Sequence, residues 1–314
     1  MFQSTVSTVA MLFLLIAVGW WLGGKEWFRG GDRILSRYLT KAALPCLVFC
    51  NVLQYFPDAG EIRELWDAGI FILVILAAAL VTGLFFGKVL CVRRNRRGIF
   101  VGAVLFPNVI LLGFPIIEGT LGEEAMPYAV IFFMIDTIVF WTAGPLLLTL
   151  FEGERKFRPE NLKKIFSGSL FAILIGFLFL GFDIPVPGAI GSALEKMAQS
   201  TTAVSMVFIG AVIRGTKLKK MESVRDIVWA VVLKTGIIPA VILMILKICP
   251  LDFTGKSVLF LLAVMPIAVN FSVIAHEYKC DHEYSAILTS VLNLIGLAAI
   301  PLYVYALTGF RVFG

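Results

Sequence analysis

Ten stretches of this 314-residue chain are each apolar over about 20 residues, the length a helix needs to cross the hydrocarbon core of a bilayer. They run roughly over 4–22, 36–54, 67–90, 99–118, 125–150, 164–181, 191–213, 226–248, 257–276 and 283–307. So little chain lies between them that no soluble domain or long linker fits. The expected fold is therefore an all-α integral membrane protein of ten transmembrane helices. Composition agrees: 15% of residues are charged and mean hydropathy is +0.93, against about 25% charge in soluble domains. The first window has no basic residue before Lys25 and no small-residue cleavage site, so it is expected to stay as a span rather than leave as a signal peptide.

The net charge of +6 is explained by orientation. Alternate loops carry nineteen Lys and Arg residues, in the groups 25–37, 93–97, 155–164, 214–225 and Lys279. The other loops carry four, Arg63, Lys196, Lys256 and Arg311, beside acids such as Glu118, Glu123 and Asp252. Cytoplasmic loops collect Lys and Arg, so the first set faces the cytoplasm, solvated, and both termini lie outside the cell membrane. No nucleic-acid partner is needed to account for the charge, and no nucleic-acid motif is present. The five cysteines and two histidines show no metal-ligand spacing, so no metal site, cofactor or catalytic set is expected.

Ten spans divide into five and five, and an odd number in each half inverts the second copy. The halves are 1–151 and 164–314, joined by a short cytoplasmic linker at 152–163. Their punctuation matches. The fourth span of each half is broken, by Pro107 and Pro115 in one and Pro266 in the other, because proline cannot donate to the preceding turn and its ring crowds it. The fifth span of each half carries a proline, Pro145 or Pro301, with Asp136 or Asn293 eight or nine residues before it.

Half-helices that begin at membrane depth offer free N–H groups and partial positive charge; those that end there offer carbonyls and partial negative charge. With inverted copies, the halves beginning near Asn108 and Asn270 converge, which favours an anion such as a carboxylate, while the carbonyl ends could hold a cation or a proton-bearing group. The two asparagines can orient a carboxylate without a fixed buried charge. Candidate substrate-binding residues are Asn108, Pro107, Gly113, Asn270, Pro266 and, on the wetted wall of the cavity, Asn51. Asp136 is the coupling candidate, since an acid at membrane depth is rarely there for packing alone. Lys41 and Lys234 are expected to snorkel from the first turns of their spans.

These residues resemble the auxin efflux carrier family, secondary transporters that include plant auxin carriers and bacterial permeases for malate- and malonate-type acids. Ala43-Leu-Pro-Cys-Leu-Val-Phe49 is similar to the family's second span, Pro107-Asn-Val-Ile-Leu-Leu-Gly-Phe-Pro115 to its first crossover, and the stretch from Met265-Pro to Ala275-His-Glu-Tyr278 to its second. The resemblance implies a scaffold and a transport domain, crossing helices 4 and 9, a substrate site at the crossing and elevator-type alternating access. Pro107, Asn108 and Pro266 match crossover positions, with Asn108 the substrate-facing amide. Val48 stands near where plant carriers have a serine, Asn270 has no obvious counterpart in them, and their long cytoplasmic loop is missing. These departures favour a small aliphatic carboxylate over an auxin-like acid. Bile acid and sodium symporters share the plan, so either a proton or a sodium ion could couple, and uniport is open. The partners implied are a small organic anion and the lipid bilayer, with homodimerisation open. A channel or an intramembrane enzyme fits poorly, since the sequence has a single central acid and no His-Glu-x-x-His.

Overall fold

Inside a bilayer no water satisfies the backbone, and helix is the form that pairs every N–H within its own segment. The computed structural model, which describes residues 2–55, 65–151, 168–215, 224–278 and 280–309, is helical accordingly. The linker at 152–163 and basic loop residues such as Lys156, Lys217 and Lys279 lie outside the described residues. In chain order the helices are α1 (Phe2–Gly23), α2 (Gly31–Tyr38), α3 (Leu44–Tyr55), α4 (Trp66–Val89), α5 (Arg94–Leu105), α6 (Phe114–Leu121) and α7 (Met126–Leu150). Then come α8 (Gly168–Gly181), α9 (Gly188–Gly215), α10 (Val224–Val232), α11 (Ile238–Lys247), α12 (Phe253–Val264), α13 (Val269–Glu277) and α14 (His282–Gly309).

Among the described residues, five helical stretches are long and apolar enough to cross a membrane: Trp66–Val89, Glu123–Leu150, Gly188–Gly215, Val224–Lys247 and Glu283–Leu307. Ala10–Gly23, Val109–Leu121, Gly168–Gly181 and Phe253–Val264 are shorter apolar helices. Leu73, Val81 and Phe85 on α4 and Phe171 and Leu178 on α8 are exposed, the apolar outer surface that lipid covers.

Among the described residues, three wide π-helical turns punctuate the chain, Leu39–Ala43, Val109–Gly113 and Leu233–Ile237. Each stands two residues before a proline, Pro45, Pro115 or Pro239. The shared spacing has a shared cause: the proline ring cannot approach the carbonyl four residues back, and a widened turn relieves the clash. Behind Pro239 the freed carbonyl, that of Thr235, accepts from the Tyr303 hydroxyl at 2.8 Å.

Two groups of helices pack mainly among themselves. α1, α2, α3, α8 and α9 form one, with α1 laid along α9 and α3 against α8. The other is built around α5, α7, α12 and α14. In the first group the backbones touch: a Cβ on Gly19 would overlap the Val207 backbone, and one on Gly210 would overlap the Ile16 carbonyl. Small residues allow this approach, which drives helix pairing where both lipid and protein are apolar.

One arginine of the basic loop residues is not solvated. Arg96 is 8% exposed; its Nε donates to Asp281 Oδ2 at 2.6 Å and its guanidinium lies 5.2 Å from the Tyr284 ring centre. Asp281 also caps α14 by accepting from the Tyr284 N–H at 3.0 Å. The pair ties the start of α5 to the start of α14, and the counter-ion on the facing loop is what makes burial of this arginine tolerable.

Candidate functional site

The helix that starts at Arg94 ends at Leu105 because Pro107 has no N–H to continue it. α12 ends in the same way ahead of Pro266. Phe106 and Met265 are extended, and the two breaks pair through an antiparallel bridge between Pro107 and Ile267. The Asn108 N–H donates to the Pro266 carbonyl at 2.7 Å, and the Ala268 N–H to the Phe106 carbonyl at 3.0 Å. Broken backbone is tolerated at membrane depth where it is buried in protein, and here each break satisfies the other.

Asn108 (φ −83°, ψ 71°) is the centre of an inverse γ-turn, its flanking Val109 N–H donating to the Pro107 carbonyl at 3.0 Å. The wide turn Val109–Gly113 follows, closed by the Gly113 N–H on the Asn108 carbonyl at 3.0 Å. The amides at 108 and 268 are thus spent on the bridge rather than left free. The donors that remain without intrahelical acceptors are those of the next turns, after Asn108 and at the start of α13.

Pro107, Asn108, Asp136 and Asn270 line one cavity of about 140 Å³, with Thr40, Thr137, Trp141 and Ser169. That is about tenfold the volume one water needs. Asn108 is 3% exposed and Asp136 6%, and the Asn108 Nδ2 and one Asp136 oxygen are buried without a hydrogen-bond partner. Buried polar atoms are nearly always paired, so these two unmet atoms beside one cavity are the chemical content of the site. An apolar wall completes it. Phe106, Phe140 and Phe271 cluster with ring centres 5.0–6.2 Å apart, and α5 has glycine at 102, where a Cβ would overlap the Phe271 ring.

The other sequence candidates sit elsewhere. Asn51 lines a larger cavity of about 590 Å³ with Gln54, Glu118, Glu123 and Glu195. Gly113 lets Leu262 approach, since a Cβ there would come within 2.5 Å of it, and the Pro266 ring packs on Gly296. Ile110 lines both cavities and is itself 7% exposed. Thr40 and Ser169 stand near the helix ends that meet the basic loops, whereas Tyr55 and Glu123 stand at the opposite ends. Ile110 is thus the residue that the linings of the two cavities share.

Two polar residues hold the breaks from behind. Asn293 donates from Nδ2 to the Ile267 carbonyl at 3.1 Å and the Thr289 carbonyl at 2.8 Å. Lys234 is 1% exposed, and its Nζ donates to the Val104 carbonyl at 3.0 Å and the Ala263 carbonyl at 3.3 Å. It does not snorkel. Its place as the ninth residue of the window 226–248 was the available signal, too deep for a first turn. Lys41, by contrast, is exposed. Two of the carbonyls at the helix ends expected to hold a cation instead accept from this side chain.

Comparison with known proteins adds an independent line. Residues 4–306 match the model of a family described as membrane transport protein. An uncharacterized transporter of Methanothermobacter thermautotrophicus is 24% identical over 314 residues, covering 96% of this chain and 98% of that protein.

Proposed function

This chain belongs to the membrane transport protein family, and from that premise we propose that it is a secondary carrier of small organic anions with its substrate seat at Asn108 and Asn270. As a member of that family it is a transporter rather than an enzyme, a multi-pass protein in a lipid bilayer. The observation that carries the finer reading is the pair of breaks joined by the bridge from Pro107 to Ile267. Two helical segments begin beside it, at Val109 and Val269, and helix N-termini favour anions. The buried amide of Asn108 adds a donor with no protein acceptor, and the cavity has room for a small carboxylate.

The antiparallel pairing is what a 5+5 inverted repeat with crossing fourth and ninth spans requires. In this reading the halves are 1–151 and 164–314, α1 to α3 with α8 and α9 form the scaffold, and the remaining helices carry the substrate as an elevator. Both termini then lie outside the cell membrane. A panel of mono- and dicarboxylates tested by thermal shift, with and without sodium at two pH values, examines the substrate class: a ligand of the folded state raises its stability. A panel in which only cations or neutral solutes stabilise the protein contradicts an anion carrier.

Asp136 is the proton-coupling group of this proposal. In proteoliposomes Asp136→Asn is expected to abolish pH-driven accumulation while anion exchange continues. Accumulation with the pH dependence of the parent protein excludes the assignment.

Ile110 forms the barrier between the two cavities. Ile110→Ser is expected to let small inorganic anions leak through vesicles in the absence of substrate, because a hydroxyl and the lost volume wet a constriction that an isoleucine keeps dry. Vesicles as tight as those holding the parent protein place the barrier elsewhere.

A further inference from the structure

Many of the carbonyls around the two breaks accept hydrogen bonds, and the pattern of their use is specific. In an unbroken helix the Val104 carbonyl would accept from the N–H of Asn108, but that N–H donates to the Pro266 carbonyl instead. The Ala263 carbonyl would likewise accept from Ile267, which lies in the extended bridge. Lys234 donates to these two carbonyls, one from each half of the chain. Of the remaining groups, the Phe106, Pro107 and Asn108 carbonyls accept from backbone N–H groups, and Ile267 accepts from Asn293.

Two helix C-termini meeting at one point concentrate partial negative charge, and in secondary transporters such carbonyl ends coordinate a transported sodium ion or proton. We propose that the ammonium of Lys234 is a tethered substitute for that ion: it occupies the cation position between α5 and α12, so that the carrier works without sodium. The inference rests on the reading of the paired breaks as the carrier's substrate centre. A lysine side chain cannot be released to either side, so the group that fills this position stays with the protein through every turnover. Asp136 lines the substrate cavity, whereas the Lys234 side chain reaches the two carbonyls of the breaks.

The test uses the full-length protein and the variants Lys234→Met and Lys234→Ala. Thermal unfolding in detergent is followed in sodium chloride, choline chloride and propylammonium chloride at equal ionic strength, and anion uptake is measured in sodium-free proteoliposomes. The parent is expected to unfold at the same temperature in sodium and choline and to transport without sodium. Lys234→Met, which fills the space without the charge, is expected to lose uptake by about tenfold or more, since hydrogen bonds to a charged group are at stake. Lys234→Ala opens the position, and its unfolding temperature is expected to rise in sodium or propylammonium relative to choline. A parent that requires sodium, a Lys234→Met variant that transports like the parent, or a Lys234→Ala variant that no cation shifts overturns the proposal. The unfolding arm needs no transported anion. Cation rescue in a protein that carries no anion would therefore sink the substrate reading and leave the cation position standing.

Discussion

Asn108→Ala is expected to weaken anion binding about 10- to 100-fold while the protein stays folded. The size follows from the loss of one hydrogen bond to a charged group, about 1.5–3 kcal/mol. The selectivity follows from the geometry. The contribution of Asn108 to the fold is through its backbone, whose N–H reaches Pro266 and whose carbonyl accepts from Gly113, and alanine keeps both. Its side-chain nitrogen has no protein partner to abandon. Asn293→Ala is the contrasting control, because it removes the side-chain donor to the Ile267 and Thr289 carbonyls and should lower the unfolding temperature. Uptake kinetics and thermal unfolding of both variants separate the roles. Parent-like affinity in Asn108→Ala removes that amide from the substrate site.

Gly210→Val carries the largest expected effect on stability. The first added carbon would overlap the Ile16 carbonyl and crowd the Trp20 backbone nitrogen, and backbone atoms cannot rotate aside as a side chain can. Overpacking in a well-filled interior commonly costs about 1–3 kcal/mol, and a clash of side chain against backbone stands at or above the top of that range. α1 would have to lift away from α9, and the reciprocal seat of Gly19 on Val207 would open with it. Gly215→Ala, on the same helix but with nothing within 4 Å of its added carbon, serves as the reference. Size-exclusion profiles and unfolding temperatures compare the two; equal stability would mean that α1 and α9 are not held by their glycines.

The parts of this architecture visible in the sequence are those that depend on local chemistry. Apolar windows mark candidate spans because a helix needs only its own residues to satisfy its backbone, and Pro107 and Pro266 mark the breaks because proline acts on the turn beside it. Asn108, Asn270 and Asp136 stand out as polar residues in apolar surroundings, and the structure brings them to one cavity. What the sequence conceals depends on partners distant in the chain. Lys234 reads as a residue near a helix end until the carbonyls of Val104 and Ala263 are placed around it. Arg96 reads as one more cytoplasmic charge until Asp281 is found opposite it. Asn51 reads as part of the same wet wall, yet it lines the other cavity. Gly19 and Gly23 did leave a legible signal, a small-x-x-x-small spacing suited to close helix packing, although nothing in it names α9 as the partner.

The most direct measurement is a structure of the protein with a short dicarboxylate bound. One carboxylate group is expected between the first turns that follow Asn108 and Ala268, within hydrogen-bonding distance of the Asn108 side chain and on the side of Ile110 that Asp136 faces. A ligand found only beside Asn51, Glu118 and Glu195, with the cavity at Asn108 empty, would contradict the account.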